Sequence, residues 1–271
     1  MSRPDDDRDY IQALARGLAV IESFDEAHPA MSLSDVARRT NLSRGAVGRI
    51  LHTLELLGYV RGDDRLFQLQ PRALKLGYAY LSSQPLWRLA HPMLETVARD
   101  VGEACSLSIL DDEEIVYVTW VAATRVVYDF VGVGGRLPAF CASMGRVLLA
   151  GLPDKAVDDF LARAKLTPRT PATITDRKAL KRIVLEARER GYATQDEEVE
   201  IGQRAVAVPV RDATGATVAA INVTVAAHRY SVEAMVERAV PILRREAARL
   251  GEALSLVPTG RPIRRPGRGP R

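Results

Sequence analysis

Along Leu33–Leu69 the apolar positions form two short helical runs and then an alternating one, with polar turn residues between them. Ser32 followed three residues later by Asp35 predicts a capped helix ending near Thr40, because the hydroxyl takes an unpaired first-turn amide and the acid reaches back to the cap. Asn41-Leu42 predicts a tight turn, since Asn tolerates left-handed backbone angles. Ser43 then caps a second helix, Arg44 to Leu57, whose Val47, Ile50, Leu51, Leu54 and Leu57 make one buried stripe. Gly58 stops it as a C′ residue would. Tyr59–Arg61 and Arg65–Leu69 read as two short strands around Gly62-Asp63-Asp64. Helix, turn, helix and small hairpin in that order make a winged helix-turn-helix.

Elsewhere the pattern predicts a first helix, Ile11 to Glu26, with Ile11, Leu14, Leu18, Ile21 and Phe24 on its core face. A linker helix covers Ala73–Ser83, and Pro85 marks a boundary because the residue before proline is pushed out of helical angles. An amphipathic helix follows from Leu86 to Val101. Strands are expected at Ala104–Leu110, Ile115–Val121, Arg125–Val131, Arg204–Val210 and Thr217–Ala226, and helices at Met144–Gly151, Asp154–Lys165 and Asp176–Arg190. A last helix, Val232–Leu256, contains Pro241, a kink or break. Strands with helices packed against them give an α+β fold. The expected division is a disordered N-terminus at 1–9, the winged domain at 10–72, the linker at 73–85, a sensor domain at 86–257, and a disordered basic tail at 258–271.

Charge sharpens the reading of the first domain. From Ser32 to Lys75 there are eight Lys/Arg against four Asp/Glu, the local excess that phosphate neutralisation needs. The whole chain carries +4, but the tail holds five Arg and no acid, so the global balance says little. A recognition helix presents its N-terminal residues to base edges and phosphates. Ser43, Arg44, Gly45 and Ala46 occupy that position, Arg49, His52 and Thr53 continue the polar face, Ser32 opens the preceding helix, and Arg61 and Arg65 flank the wing. These are the candidate contacts to double-stranded DNA. The two cysteines, Cys105 and Cys141, show no paired spacing, which excludes a disulfide framework or a cysteine metal site and fits a cytoplasmic location. With no apolar run of about eighteen residues, no membrane span is expected, and no motif calls for a metal or cofactor.

Three segments of the second domain could build a small-molecule site. Arg136–Arg146 runs a loop with small and hydroxyl residues into a helix start near Ser143, where amides and a positive dipole end converge and would accept a carboxylate. Gln195-Asp196-Glu197-Glu198 with Gln203-Arg204-Ala205 is the second. Asn222 and Thr224, two apart on one strand face, are the third. An enzyme reading is weaker. Cys141-Ala142-Ser143-Met144-Gly145 lacks the first glycine of a nucleophile elbow, and a dyad would require His91 or His228 in no recognisable context.

Taken together, Ala15–Ile21, Leu33–Ala37, Arg49–Leu54, Arg136–Pro138, Ser143–Ala150, Arg190–Tyr192, Asp196–Glu198 and Ala207–Asp212 resemble the IclR family of bacterial transcriptional regulators over about Tyr10 to Val257. The resemblance implies a winged helix-turn-helix joined to a GAF-like effector-binding and oligomerisation domain at 86–257. It further implies a dimer or dimer of dimers on a palindromic operator, in contact with RNA polymerase if it activates, and a cytoplasmic, nucleoid-associated bacterial protein. Family ligand contacts carry over onto Ser143, Met144, Gln195, Ala205, Asn222 and Thr224. Gln195 stands where an Asp can occur and Ala205 where a Cys can, both departures from the small-acid-binding pattern. Tyr10–Gly17 and Phe140–Arg146 look most like the subgroup controlling β-ketoadipate pathway genes. A pocket of Tyr128, Phe140 and Met144 with Ser143, Asn222 and Thr224 as polar anchors would then take an aromatic acid; a dicarboxylic acid or another small carboxylate stays open.

Overall fold

The computed structural model describes residues 9–63, 65–122 and 132–257. The chain divides between Ser82 and Ser83 into two compact units. The expected third strand at 125–131, Tyr128 and the basic tail lie outside the described residues.

The first unit orders α1 (Gln12–Glu22), β1 (Ala30–Met31), α2 (Leu33–Thr40), α3 (Arg44–Leu56), β2 (Val60–Gly62), β3 (Phe67–Leu69) and α4 (Leu74–Ser83). The capping box forms as the spacing requires: the Ser32 hydroxyl oxygen accepts from the Asp35 amide at 3.2 Å, and the Asp35 carboxylate accepts from the Ser32 amide at 3.2 Å. Asn41 is left-handed at φ 55°, which turns α2 into α3. Val20, Val36, Val47, Leu51, Leu54 and Val60 close a small core. The wing is three-stranded, in the order β1-β3-β2; the two-residue β1 is too short to leave a periodic trace.

Two expectations fail here. Ile11, Leu14 and Leu18 do not face the core but are exposed, at 66%, 61% and 41%. Only the C-terminal end of α1 (Val20 and Ile21, with Phe24 just beyond the helix) joins the core formed with α2 and α3. Periodicity identifies an apolar face without saying what covers it. Leu57 is likewise exposed, because the helix has already ended at Leu56 and turned at Gly58, φ 75°.

The second unit orders α5 (Leu86–Val101), β4 (Ala104–Asp111), β5 (Glu114–Val121), β6 (Arg136–Pro138), α6 (Ser143–Ala150), α7 (Asp154–Arg163), α8 (Arg177–Arg190), β7 (Ala193–Asp196), β8 (Gln203–Arg211), β9 (Thr217–Ala226) and α9 (Val232–Leu256). Its antiparallel sheet runs β6-β5-β4-β9-β8-β7, a GAF-like α+β arrangement. Helices α5 and α9 pack together and against β4, β5, β8 and β9, whereas α6 packs on α8 and on β7, β8 and β9. Strands β6 and β7 had no sequence signal because they are short edge strands. Pro241 does not break α9, which continues to Leu256. Val240 and Leu243, buried on either side of it, supply packing that offsets one lost backbone hydrogen bond. Gly251 lets α9 approach the sheet, since a β-carbon there would lie 2.2 Å from the Arg211 carbonyl oxygen. Among the described residues no helix is long and apolar enough to cross a membrane.

The cap at Ser32 yields a prediction. Ser32→Ala should destabilise the first unit by about 1 kcal/mol, read by hydrogen exchange in α2. Hydrogen bonds from the Ser32 side chain and then its backbone hold the Asp35 carboxyl below the ordinary carboxylate range. Its contribution is therefore full above that ordinary value and lost as pH falls through the lowered one. The Ser32→Ala deficit should shrink in acid; a deficit constant across that window would assign the cap no ionic part.

Candidate ligand cavity and nucleic-acid interface

A hollow opens where the sheet carries small side chains. Direct cross-strand partners share a face, so the register puts Gln195, Ala205, Thr224 and Ala104 in one row. Ala207, Asn222, Ser106 and Trp120 make the next. Ala104, Ser106 and Ala205 leave room above the floor, while Ala207 joins the apolar core and the alternate residues Val206, Val208, Ile221 and Val223 fill the opposite face. Ala142, Ser143 and Met144 at the start of α6 close one side; Tyr117, Leu137, Arg169, Val199, Glu200 and Gln203 complete the lining. The cavity measures about 90 Å³. A water molecule needs about 10–15 Å³, so the space suits a small organic molecule.

Helix α6 reaches the cavity through a close approach. A β-carbon at Gly145 would lie 2.1 Å from the Ala139 carbonyl oxygen, so only glycine lets the 139–142 loop lie across the first turn. The N-cap is Ala142, with no side-chain cap, so the helix begins one residue before the expected Met144. Ser143 is the first helical residue, and its neighbours' amides stand at the positive end of the helix.

One turn on, Arg146 fastens the walls together. Its Nη1 and Nη2 donate to Glu198 Oε1 and Oε2 at 2.7 and 2.6 Å, its Nε donates to the Phe140 carbonyl at 3.1 Å, and Nη1 also reaches the Thr194 carbonyl at 2.9 Å. Both partners are buried, at 2% and 4% exposure. Glu198 Oε2 also accepts from the Ile174 amide at 3.1 Å, and the Glu198 amide donates to Gln195 Oε1 at 3.0 Å. One bidentate pair thus ties α6, the loop before it, β7 and the 170–174 loop into a single frame.

Six residues expected at a ligand site, Ser143, Met144, Gln195, Ala205, Asn222 and Thr224, line this cavity. Asn222 is oriented by its neighbours: Oδ1 accepts from the Ser106 amide at 3.2 Å, and Nδ2 donates to Thr224 Oγ1 at 3.2 Å. Phe140 is a correction. It is buried in the apolar cluster and does not line the cavity, because the close approach at Gly145 turns the loop so that only its carbonyl serves the site. Asp196, Glu197 and Glu198 also divide: Asp196 pairs with Arg204 at 2.5 Å, Glu197 Oε2 accepts from the Gly202 amide at 2.8 Å, and Glu198 holds Arg146.

Sequence reasoning missed Ser106, Tyr117, Trp120 and Arg169. The alternation Ala104-Cys105-Ser106-Leu107-Ser108, which puts hydroxyls on one face of an otherwise apolar strand, was a usable signal for the first. Arg169 lies in an aperiodic segment, and nothing in the sequence marks it. As for nucleophiles, burial pushes the Cys141 thiol up to about 11, and His91 Nδ1 is hydrogen-bonded to Thr119 Oγ1 at 3.1 Å.

On the first unit, Arg44, Gly45, Arg49, His52, Thr53, Arg61 and Arg65 are exposed, and Ala46 is half-buried. Three hydroxyls of the candidate set are engaged locally. Ser32 Oγ donates to Asp35 Oδ2 at 2.7 Å, Ser43 Oγ accepts from the Ala46 amide at 3.3 Å, and Thr53 Oγ1 donates to the Arg49 carbonyl at 2.8 Å. Arg44 Nη2 donates to Ser34 Oγ at 2.7 Å, which steadies the guanidinium between α2 and the start of α3. Arg39, by contrast, is structural, bonded to Asp25 and to the Ser23 carbonyl.

Residues 78–251 match the C-terminal domain of the bacterial transcriptional regulator IclR, and residues 13–64 match the IclR helix-turn-helix domain. The Pca regulon regulatory protein of Pseudomonas putida is 40% identical over 238 residues, covering 88% of this chain and 82% of that protein. The p-hydroxybenzoate hydroxylase transcriptional activator of Acinetobacter baylyi is 34% identical over 247 residues, covering 89% and 91%. The crystal structure of an IclR homolog from Microbacterium hydrocarbonoxydans complexed with 4-hydroxybenzoate is similar with a TM-score of 0.76 at 29% identity, covering 90% of this chain and 99% of that one.

The Arg146–Glu198 clamp is directly testable. Glu198→Ala leaves a buried, uncompensated guanidinium and should cost about 3–5 kcal/mol. Urea unfolding of the full chain followed by tryptophan fluorescence reads this, because Trp87 and Trp120 both belong to the second unit. A loss below about 1 kcal/mol, the range of an exposed pair, would contradict the clamp.

Proposed function

The chain belongs to the IclR family of bacterial transcriptional regulators, and on that premise we propose that it controls genes of aromatic-acid catabolism in response to a small aromatic acid. The observation that carries this reading is the make-up of the cavity. Tyr117, Trp120 and Met144 offer apolar, polarisable surface to a ring, and Ser143, Gln195, Asn222 and Thr224 offer donors and acceptors to its substituents. The relatives named for the Pca regulon and for p-hydroxybenzoate hydroxylase, and the neighbour bound to 4-hydroxybenzoate, support the same effector class.

The DNA-binding reading assigns Arg44 and Arg49 to base or phosphate contacts, Gly45 and Ala46 to close approach, Ser43, His52 and Thr53 to the polar face of α3, Ser32 to the entry of α2, and Arg61 and Arg65 to the wing. Effector binding acts by its different affinity for states that bind the operator differently. The working protein on this reading is a homo-oligomer on double-stranded operator DNA, with RNA polymerase as a further partner when it activates. The exposed Leu14, Leu18, Leu74 and Tyr78 of the first unit support self-association, since exposed apolar clusters mark interaction surfaces.

Two experiments test these assignments. In a thermal-shift screen of the full chain, 4-hydroxybenzoate or protocatechuate at a hundred times its dissociation constant should stabilise the fold by about 2.7 kcal/mol. A response confined to β-ketoadipate, pyruvate or glyoxylate would overturn the aromatic assignment. In gel-shift titrations at fixed salt, on a duplex selected by the chain from random sequences, Arg44→Ala and Arg49→Ala should each weaken binding more than tenfold, about 1.4 kcal/mol. Unchanged affinity would reject α3 as the recognition helix.

A further inference from the structure

Polarity in the cavity is graded by depth. Ser106, Ser143, Gln195 and Asn222, all neutral, are buried, whereas Arg169 is exposed at the mouth. Among the described residues it is the sole cation of the lining, and none of them forms an ion pair with it. Its charge nevertheless acts on the wall. It favours the ionised forms of Tyr117 and Cys141 against the burial that raises both, in keeping with its place in the cavity lining. The acid of the described lining, Glu200, has its Oε2 taken by Gln203 Nε2 at 2.7 Å.

The segment that carries Arg169 is held by the same frame as the cavity. Thr173 Oγ1 accepts from the amides of Arg169 and Thr170 at 3.0 and 2.9 Å, and donates to the Glu198 carbonyl at 2.7 Å. Thr170 Oγ1 donates to the Glu197 carbonyl at 2.7 Å, and Arg169 Nε donates to the Val199 carbonyl at 3.2 Å. A side chain fixed in this way loses little freedom on binding.

We propose that Arg169 takes the carboxylate of the effector at the cavity mouth and makes the site select an acid over a neutral molecule of the same shape. This rests on the reading of the cavity as an aromatic-acid site. Deeper in, an anion would meet no charged side chain among the described residues, only neutral groups and the first-turn amides of α6, and its desolvation would be costly. At the mouth the carboxylate keeps part of its hydration and meets a guanidinium whose fork matches its two oxygens. The ring then lies inward on Met144 and Tyr117, and a hydroxyl at its far end meets Asn222 and its neighbours, where neutral groups suffice.

The test is isothermal titration of the full chain with 4-hydroxybenzoate, protocatechuate and the corresponding amides, on the wild type, Arg169→Met and Arg169→Lys. The wild type should prefer an acid to its amide by at least tenfold. Arg169→Met should weaken the acid at least tenfold and leave the amide within about twofold, and Arg169→Lys should restore part of the preference. Melting of the unliganded variants should match the wild type, as befits an exposed side chain. An Arg169→Met chain that keeps the acid-to-amide ratio, or weakens both ligands equally, overturns this role and leaves the aromatic-acid reading standing. A wild type that binds neither acid overturns both.

Discussion

The buried pair between Arg146 and Glu198 is the constraint on which the second unit depends. Neither charge would survive burial alone, and each is fully engaged only because three further segments bring polar groups to the pair. That requirement fixes where α6 starts relative to β7 and the 170–174 loop. The walls of the cavity are therefore set before any ligand arrives, and a ligand need not order them.

Given that frame, the cavity follows from side-chain size. The sheet face under α5 and α9 carries Val206, Val208, Ile221 and Val223 and closes completely. The other face carries Ala205 on β8 and Ala104 and Ser106 on the neighbouring β4, so the helix above does not fill the space there. Alternation along β8 and β9 thus builds the core on one side and a binding site on the other. The first unit shows a similar economy, with Asn41 and the Ser32 and Ser43 caps setting two helices so that Arg44 and Arg49 stay exposed.

What was legible in the sequence was what depends on local rules. Caps at Ser32 and Ser43, the left-handed turn at Asn41, and the long strands and helices were all readable because spacing and backbone preference decide them. The α6 start and Asn222–Thr224 could be placed near one another for the same reason, aided by the family resemblance. Illegible were features decided by partners far along the chain. Ile11, Leu14 and Leu18 look like core residues until the core turns out to lie at the other end of α1. Phe140 looks like a pocket residue until the approach at Gly145 turns it inward. Arg169 carries no local signal because its position is set by Thr173 and Glu198.

The central claim is that the space above Ala205 and Ala104 is where the effector binds. Ala205→Leu, which puts a branched side chain into that space, tests it most directly when calorimetric titration with 4-hydroxybenzoate and protocatechuate is paired with a gel shift on operator DNA. The account predicts loss of acid binding with DNA affinity retained. Acid affinity unchanged in a variant that still binds DNA would place the effector elsewhere and contradict it.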